Sequence, residues 1–328
     1  MKLQLLIPQY TETEDEIRPL LSSLAIQQGI DLNEVGAIIC NDGSDVHLSE
    51  EFLNSFPFKI EYYLCPHRGV SATRNACLDH ATADYVMFCD ADDMFALNCG
   101  LWIMFREMEV GFDSMTSAFL EELVLDGHRD YITHDVDSTF VHGKIHRREY
   151  LIEKDIRWNE NLTIHEDSYF NILCQNLSEN VKYCPTPFYL WKWRDNSVCR
   201  HDPKYILKTY KNMLDSNSAL ITEFIQRGKQ DKAMVFCCSM ILDAYYTMNK
   251  PEWINQENKQ YRDSTEKYFS TYFYKWQKLW NDMPAQDKIV MSNQIRQRSI
   301  QEGMRFEAKT IDDWLKYIKK LTKPRKGV

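Results

Sequence analysis

The fold class is best predicted from the stretch Tyr85-Val86-Met87-Phe88-Cys89-Asp90-Ala91-Asp92-Asp93. Its five leading residues are apolar and predict a buried parallel strand. The three aspartates that follow would lie outside the carboxyl end of that strand, where open α/β sheets bind ligands. Clustered carboxylates repel one another and suit a hard cation such as Mg²⁺ or Mn²⁺, which usually bridges to substrate phosphates. The alternative is a turn without a ligand, since Asp favours turns.

Strands and helices alternate around this stretch. Strands are predicted at 3–7, 35–40 and 59–64, and helices at 12–28 and 71–81. This alternation predicts a parallel nucleotide-binding sheet flanked by helices, which is an α/β fold. A hairpin is expected around Asp126-Gly127, and Pro185-Thr186-Pro187 is expected to break the chain before a strand.

The C-terminal third has a different pattern. From residue 205 to residue 321 the apolar residues recur at helical spacing. We therefore predict two domains, 1–203 and 204–328, with the boundary between Arg200 and Lys204. The second domain is expected to be all-helical, and its aromatic-rich segment 268–274 could bind an acceptor or form a homo-oligomer, or could pack within the domain's own core.

Composition narrows the classes of function. The chain has 328 residues, and its net charge of −9 argues against nucleic-acid or anionic-membrane binding over its whole surface. The basic segment 319–326 could still make a weak peripheral contact at the inner face of a membrane. Ten cysteines without a CxxC pair indicate reduced thiols. With no long apolar run, we expect a cytoplasmic protein.

Polar residues also follow the other predicted strands. Strand one ends in Pro8-Gln9-Tyr10 and strand two in Asn41-Asp42-Gly43-Ser44, while Arg74 and Asn75 open the helix at 71–81. In a parallel sheet these ends share one edge, where an aromatic ring could stack on a nucleobase and Arg74 could pair with a carboxylate or a phosphate. Each motif alone could be an ordinary turn or a surface charge.

Taken in order, these motifs resemble family-2 glycosyltransferases of the GT-A fold. The residues that carry the resemblance are Ile7-Pro8-Gln9-Tyr10, Asn41-Asp42-Gly43-Ser44, Ala72-Thr73-Arg74-Asn75, Asp90-Ala91-Asp92-Asp93 and His165-Glu166-Asp167. A segment at 191–197 is similar to the region that follows the family's catalytic helix. The resemblance covers residues 1–200 and implies a GT-A (Rossmann-like), mostly parallel sheet. Two residues depart from the common family pattern. Asn41 stands where the family often has Asp, and Gln9 also differs from the common variants.

The resemblance implies a role for each matching residue. Asp167 would be the general base, with Glu166 as the alternative. Asp92 would ligate Mn²⁺ or Mg²⁺, with His201 as a second candidate ligand. The nucleotide sugar would be contacted by Pro8, Tyr10, Asn41, Asp42, Arg74, Asn75, Asp90, Ala91 and Arg194.

The activity implied is an inverting, metal-assisted transfer of a hexosyl or N-acetylhexosaminyl group. The donor would be a nucleoside diphosphate sugar, UDP-linked by default, and the acceptor a hydroxyl of a polysaccharide, glycopolymer or other molecule. A nucleotidyltransferase that makes a nucleotide sugar is an alternative, although Gln9-Tyr10-Thr11-Glu12 lacks the glycines of a phosphate loop. A glycoside hydrolase would need two opposed carboxylates. A catalytically degenerate sheet domain with a helical binding module also remains open.

Overall fold

The computed structural model describes residues 1–135, 137, 139–195, 202, 204–301 and 310–322. The chain divides into two compact units, Met1–Ser197 and Val198–Val328. Arg200, His201 and Pro203, at the predicted domain boundary, lie outside the described residues.

The N-terminal unit contains a single large sheet among its described residues. Its strands are β1 Leu3–Gln9, β2 Val35–Asp42, β3 Lys59–Cys65, β4 Tyr85–Phe88, β5 Met94–Phe95, β6 Ser114–Leu125, β7 His128–His134, β8 Lys144–Arg147 and β9 Val181–Trp191. Its helices are α1 Glu14–Ala25, α2 Glu50–Leu53, α3 Val70–His80, α4 Gly100–Val110, α5 Arg148–Glu153 and α6 Glu166–Leu177.

The strand order is β3-β2-β1-β4-β8-β6-β9-β5, with β7 paired to β6. Strands β1 to β4 are parallel to one another, as are β6 and β9. The expected α/β fold is confirmed, with the parallel part confined mainly to β1–β4. The sheet as a whole is mixed, because β8 runs antiparallel to both β4 and β6.

Apolar periodicity explains why these elements form. Every residue of β2 is buried, as expected of a central strand covered on both faces. Helix α1 buries Ile17, Leu20, Leu21 and Leu24, which recur at helical spacing along one face. Gln9 at the end of β1 lies beside Asn41 of β2, and Leu6 of β1 lies beside Phe88 of β4. The prediction that the ends of these three strands share one edge is therefore confirmed.

Two further predictions have different outcomes. The β6–β7 hairpin is confirmed, and both turn residues, Asp126 and Gly127, have positive φ angles of 50° and 79°, as a two-residue hairpin turn requires.

The predicted break at Pro185-Thr186-Pro187 is wrong, because β9 runs through it. The register shifts at this point between Ser117 and Phe119 of β6, and such an irregularity lets proline sit in a strand without losing a ladder hydrogen bond.

The C-terminal unit is helical in its described residues, as predicted. Its helices are α7 Tyr205–Gln226, α8 Gln230–Thr247, α9 Pro251–Ile254, α10 Lys259–Asp282, α11 Ala285–Gln301 and α12 Ile311–Leu321. The core of this unit includes the buried side chains of Phe224, Trp253, Phe269 and Trp314. Thr310 caps the N-terminus of α12, and its hydroxyl accepts a hydrogen bond from the Asp313 amide.

In the described part of the chain, no helix is both long and apolar enough to cross a membrane. Every cysteine in that part is a free thiol, in agreement with the sequence-based prediction of reduced cysteines.

Candidate active site

Arg74 of α3 is the centre of a buried charge cluster. One of its terminal nitrogens, Nη2, lies 2.9 Å from Asp90 Oδ1 at the end of β4. The other, Nη1, lies 3.1 Å from Glu166 Oε1 and 2.8 Å from Asp167 Oδ1 in the first turn of α6. The guanidinium also lies 4.4 Å from the ring of Trp158. Two sequence motifs that are far apart in the chain are thus joined by one side chain.

Asp42 and Asn75 fix the position of α3. The carboxylate of Asp42 accepts hydrogen bonds from the amides of Arg68 and Gly69, at 2.8 and 2.9 Å, just before the helix begins. The Asn75 amide group bonds both the N–H and the C=O of Trp158, each at 3.0 Å. Both residues are implied to contact the nucleotide sugar, and in this structure their side chains hold the protein's own backbone.

One cation, Arg74, faces three carboxylates in this cluster. The pKa of one carboxylate is lowered, and the pKa values of the other two are raised. Burial disfavours the charged form of Asp90, but the Arg74 charge outweighs it and lowers the pKa. Burial and the charge of Asp167 raise the pKa of Glu166 to about 7. The pKa of Asp167 is also raised by burial, which the Arg74 charge only partly offsets. Burial therefore favours the protonated form of both Glu166 and Asp167.

Asp92 projects from the acidic loop, which we define as Asp90–Asp93. Its Oδ2 atom lies 3.1 Å from Nε of Arg194. The terminal nitrogens of the same arginine lie 3.3 Å from Glu12 and 3.5 Å from Glu16. Burial, together with the charge of Asp90, raises the pKa of Asp92 to about 6. Asp92 and Arg194, both predicted site residues, therefore lie together at the edge of the sheet, and Ala91 between the aspartates is buried.

A group that could hold a metal ion lies at this loop. Asp90, Asp93 and His142 each bring one ligand atom to within 4.8 Å of the others. The donors are hard oxygens and an imidazole nitrogen, so they suit Mg²⁺ or Mn²⁺. His142 was missed by the sequence interpretation because no local pattern marks it, whereas Asp93 belongs to the run of aspartates that predicted a cation site. His201, the second predicted ligand, lies outside the described residues.

Tyr10 is the aromatic side chain at this edge that remains open to solvent. It is 46% exposed, and its ring stacks on His67 with centroids 4.9 Å apart. Pro8, which the resemblance also implies to contact the nucleotide sugar, lies in β1 two positions before it. An exposed ring at the carboxyl edge of the strands could stack on a planar ligand.

Gln9 and Asn41, the two departures from the family pattern, are bonded to each other. Nδ2 of Asn41 donates to Oε1 of Gln9 at 2.9 Å and to the Val46 carbonyl at 2.8 Å. Oδ1 of Asn41 accepts from the Ser44 amide at 2.7 Å. Both side chains are fully buried. Oε1 of Gln9 also accepts from the Tyr62 hydroxyl at 3.1 Å, so the amide of Asn41 and this hydroxyl together satisfy the buried glutamine oxygen.

Replacing Asn41 by aspartate tests this pairing. Aspartate cannot donate, so Gln9 Oε1 and the Val46 carbonyl would lose a buried donor. We expect the free energy of unfolding to fall by about 1–3 kcal/mol, measured by urea denaturation. The same change at exposed Asn161 should stay within about 0.5 kcal/mol. Equal stability of the two variants would show that the pairing contributes nothing.

The raised pKa of Glu166 predicts a pH-dependent stability. Its ordinary value is 4.5 and its value in the fold is about 7, so the folded chain binds the proton more tightly than the unfolded chain. This contribution is fully present below the unfolded value and is lost as pH rises through about 7. Compared with Glu166→Gln, the wild type should lose roughly 1–3 kcal/mol between about pH 5 and about pH 8. Exposed Glu51→Gln should show no such trend in the same urea titrations.

The comparison with known families addresses this same region. The model of the family described as "Glycosyl transferase family 2" matches residues 5–117. The matched region belongs to glycosyl transferase family 2. This agrees with the resemblance seen in the sequence motifs, and the region includes β1 to β5 with the acidic loop and Arg74.

Two curated relatives support the family 2 assignment. The succinoglycan biosynthesis protein ExoM of Rhizobium meliloti (strain 1021) is 31% identical over 86 residues, which are 25% of this chain and 28% of that protein. The protein named "Putative glycosyltransferase EpsH" of Bacillus subtilis (strain 168) is 21% identical over 244 residues, covering 67% of this chain and 69% of that one. The matched part thus spans little more than a quarter of ExoM.

Solved structures share the fold of this chain. The crystal structure of S. aureus TarS 1–349 has a TM-score of 0.60 at 16% identity, with 95% of each chain covered. The mannosyltransferase PcManGT from Pyrobaculum calidifontis has a TM-score of 0.50 at 12% identity, covering 67% of this chain and 64% of that one. At these identities the likeness shows the fold alone, and it confirms the expected GT-A class.

Proposed function

We propose that the N-terminal unit transfers a sugar from a nucleoside diphosphate sugar to an acceptor hydroxyl, with inversion at the anomeric carbon. The observation that carries this proposal is the convergence of Asp90, Glu166 and Asp167 on Arg74, next to Asp92 at the carboxyl edge of the sheet. Membership of the matched region in glycosyl transferase family 2 supports the reaction class.

Asp167 is the better candidate for the general base. Its Oδ1 accepts from Arg74 and its Oδ2 from the Val141 amide at 3.2 Å, so its orientation is fixed. Glu166, with a pKa of about 7, is protonated for much of the time near neutrality. As the acceptor oxygen bonds to the anomeric carbon, its proton passes to Asp167 and the bond to the diphosphate oxygen breaks. One base and one in-line displacement give inversion.

The nucleotide would lie across the ends of β1, β2 and β4. Tyr10 is open for stacking on the base, and the backbone around Pro8, Asn41 and Asp42 would border it. Asp90 and Ala91 would border the ribose, and Arg194 the diphosphate. Structures of TarS 1–349 in complex with UDP and with UDP-GlcNAc support a UDP-linked hexosyl or N-acetylhexosaminyl donor.

Asp92, assisted by Asp90, would hold Mn²⁺ or Mg²⁺. The two side chains are partly exposed at the sheet edge, 17% and 33% respectively, whereas Asp93 is fully buried. A bound ion would neutralise the charge that develops on the departing diphosphate. PcManGT in complex with GDP-Man and Mn²⁺ supports a metal in this fold.

The helical C-terminal unit and the location of the protein are also part of the proposal. We propose that the helical unit binds the acceptor glycan or joins two copies of the chain. A cytoplasmic location, with a peripheral membrane contact through the basic C-terminal segment, is consistent with the free thiols.

Replacing Asp92 by asparagine tests the proposed reaction. The wild type, given UDP-glucose, UDP-GlcNAc or GDP-mannose with Mn²⁺ or Mg²⁺, should release a nucleoside diphosphate from one of them. Asp92→Asn should reduce this release by at least about 100-fold, because an ion contributes several kcal/mol. The control Asp45→Asn changes an exposed carboxylate in the same unit and should keep full activity. Full activity in Asp92→Asn would reject the metal role, and pyrophosphate release from a nucleotide and a sugar phosphate would indicate a nucleotidyltransferase.

A further inference from the structure

Asp93, the last residue of the acidic loop, is fully buried, and both of its oxygens accept hydrogen bonds. Oδ2 accepts from the Tyr189 hydroxyl at 2.8 Å, and Oδ1 accepts from the Lys192 amide at 3.0 Å. A catalytic ion of this kind is usually held by one or two carboxylates together with substrate phosphates. Because protein donors already bond both oxygens of Asp93, this carboxylate is poorly placed to bind the ion. It nevertheless lies close enough to Asp90 for the two to share one.

Tyr189 ties the two ends of the acidic loop together. While its hydroxyl donates to Asp93, it accepts a hydrogen bond from the Asp90 amide at 3.2 Å. The register of the sheet fixes Tyr189 in turn, because it pairs with Phe95 of β5 directly after the loop. The loop that carries Asp92 is therefore anchored at its first and last residues by one buried phenol.

His142 closes this arrangement from the other side. Its Nδ1 lies 3.4 Å from Asp93 Oδ2. Its ring stacks on both Tyr189 and Trp191 of β9, with centroid distances of 5.3 and 5.0 Å and interplanar angles of 21° and 27°. Two aromatic faces and one carboxylate thus fix the imidazole, which is itself buried.

We propose that Tyr189, Asp93 and His142 are positioning residues that set the metal affinity of the acidic loop without ligating the ion. Their contacts restrict Asp90 and Asp92 to one loop conformation, so the ion does not have to order the loop when it binds. Partners behind metal ligands typically change metal affinity by about 10–100-fold when they are removed. This inference rests on the proposed metal role of Asp92 and adds the residues that support it.

Tyr189→Phe separates support from ligation, because Tyr189 is not among the residues that could ligate the ion. We expect Mn²⁺ binding to the full chain in the presence of UDP, measured by electron paramagnetic resonance of the free ion, to weaken by about tenfold or more. Binding of UDP without metal, measured by calorimetry, should stay within about twofold. Asp93→Asn keeps only one acceptor oxygen, so it breaks one of the two hydrogen bonds and should also weaken Mn²⁺ binding.

Tyr150→Phe is the matched control. Tyr150 is also buried in the N-terminal unit, and its hydroxyl donates to the Cys174 carbonyl at 2.6 Å, away from the acidic loop. This variant should leave Mn²⁺ affinity unchanged, so a general effect of losing a buried hydroxyl is accounted for. Unchanged Mn²⁺ affinity in Tyr189→Phe, or an equal loss in both variants, would overturn the inference alone. Absence of Mn²⁺ binding by the wild type would instead overturn the proposed metal role and this inference with it.

Discussion

Replacing Asp167 by asparagine is expected to slow sugar transfer by about 10²–10⁴-fold, the usual contribution of a general base. Asparagine has nearly the same shape, and its oxygen can still accept from Arg74 or from the Val141 amide, so the fold should persist. It cannot take the proton of the attacking hydroxyl. Nucleoside diphosphate release measures the rate, and calorimetry with UDP should show unchanged nucleotide affinity.

Glu166→Gln is the control for this experiment, since it removes the neighbouring carboxyl of the same buried pair. We expect a smaller loss of rate than in Asp167→Asn, because Glu166 already carries a proton for much of the time near neutrality. If nucleotide affinity collapses in Asp167→Asn while transfer survives, Asp167 is a binding residue and the assignment of the base is wrong. If Glu166→Gln loses more of the transfer rate than Asp167→Asn, Glu166 is the general base instead of Asp167.

Removing Arg74 should have the largest effect on stability. Arg74→Ala would leave Asp90, Glu166 and Asp167 close together without their shared cation, and Arg74 itself is only 3% exposed. Breaking a buried ion pair by deleting one partner typically costs about 3–5 kcal/mol. We expect a loss of that size in urea denaturation at neutral pH. The loss should shrink at acidic pH, because protonated carboxyls no longer repel one another.

Arg157→Ala provides the comparison for Arg74. Arg157 pairs with Asp79 at 2.6 Å, but the side chains are 39% and 59% exposed. Exposed pairs contribute at most about 1 kcal/mol, so this variant should remain nearly as stable as the wild type. A loss of less than about 1 kcal/mol in Arg74→Ala would mean that Arg74 is not the centre of the cluster.

The elements that the sequence predicted well are those with a strong local signal. The continuous apolar runs of β1, β2 and β4 and the helical apolar spacing of α1 each report burial directly. Because parallel strands place their carboxyl ends together, these runs also sufficed to bring Asp42 and Asp90 to one edge. The long helices α7, α8 and α10 were recognisable for the same reason.

What the sequence could not show depends on contacts between distant segments. Arg74 is 92 and 93 residues from Glu166 and Asp167, and no spacing rule predicts that one guanidinium would pair with both. Tyr189 reaches Asp93 across 96 residues from a strand whose prolines suggested a break.

A crystal structure of the chain with UDP and Mn²⁺ would show whether Asp92 and Asp167 serve one site. We expect the uracil to lie at the edge near Tyr10, Mn²⁺ to join Asp92 to the diphosphate, and Asp167 to face the same cleft from the side where an acceptor would enter. A nucleotide bound elsewhere, or a structure in which Asp92 and Asp167 face separate pockets, would contradict it.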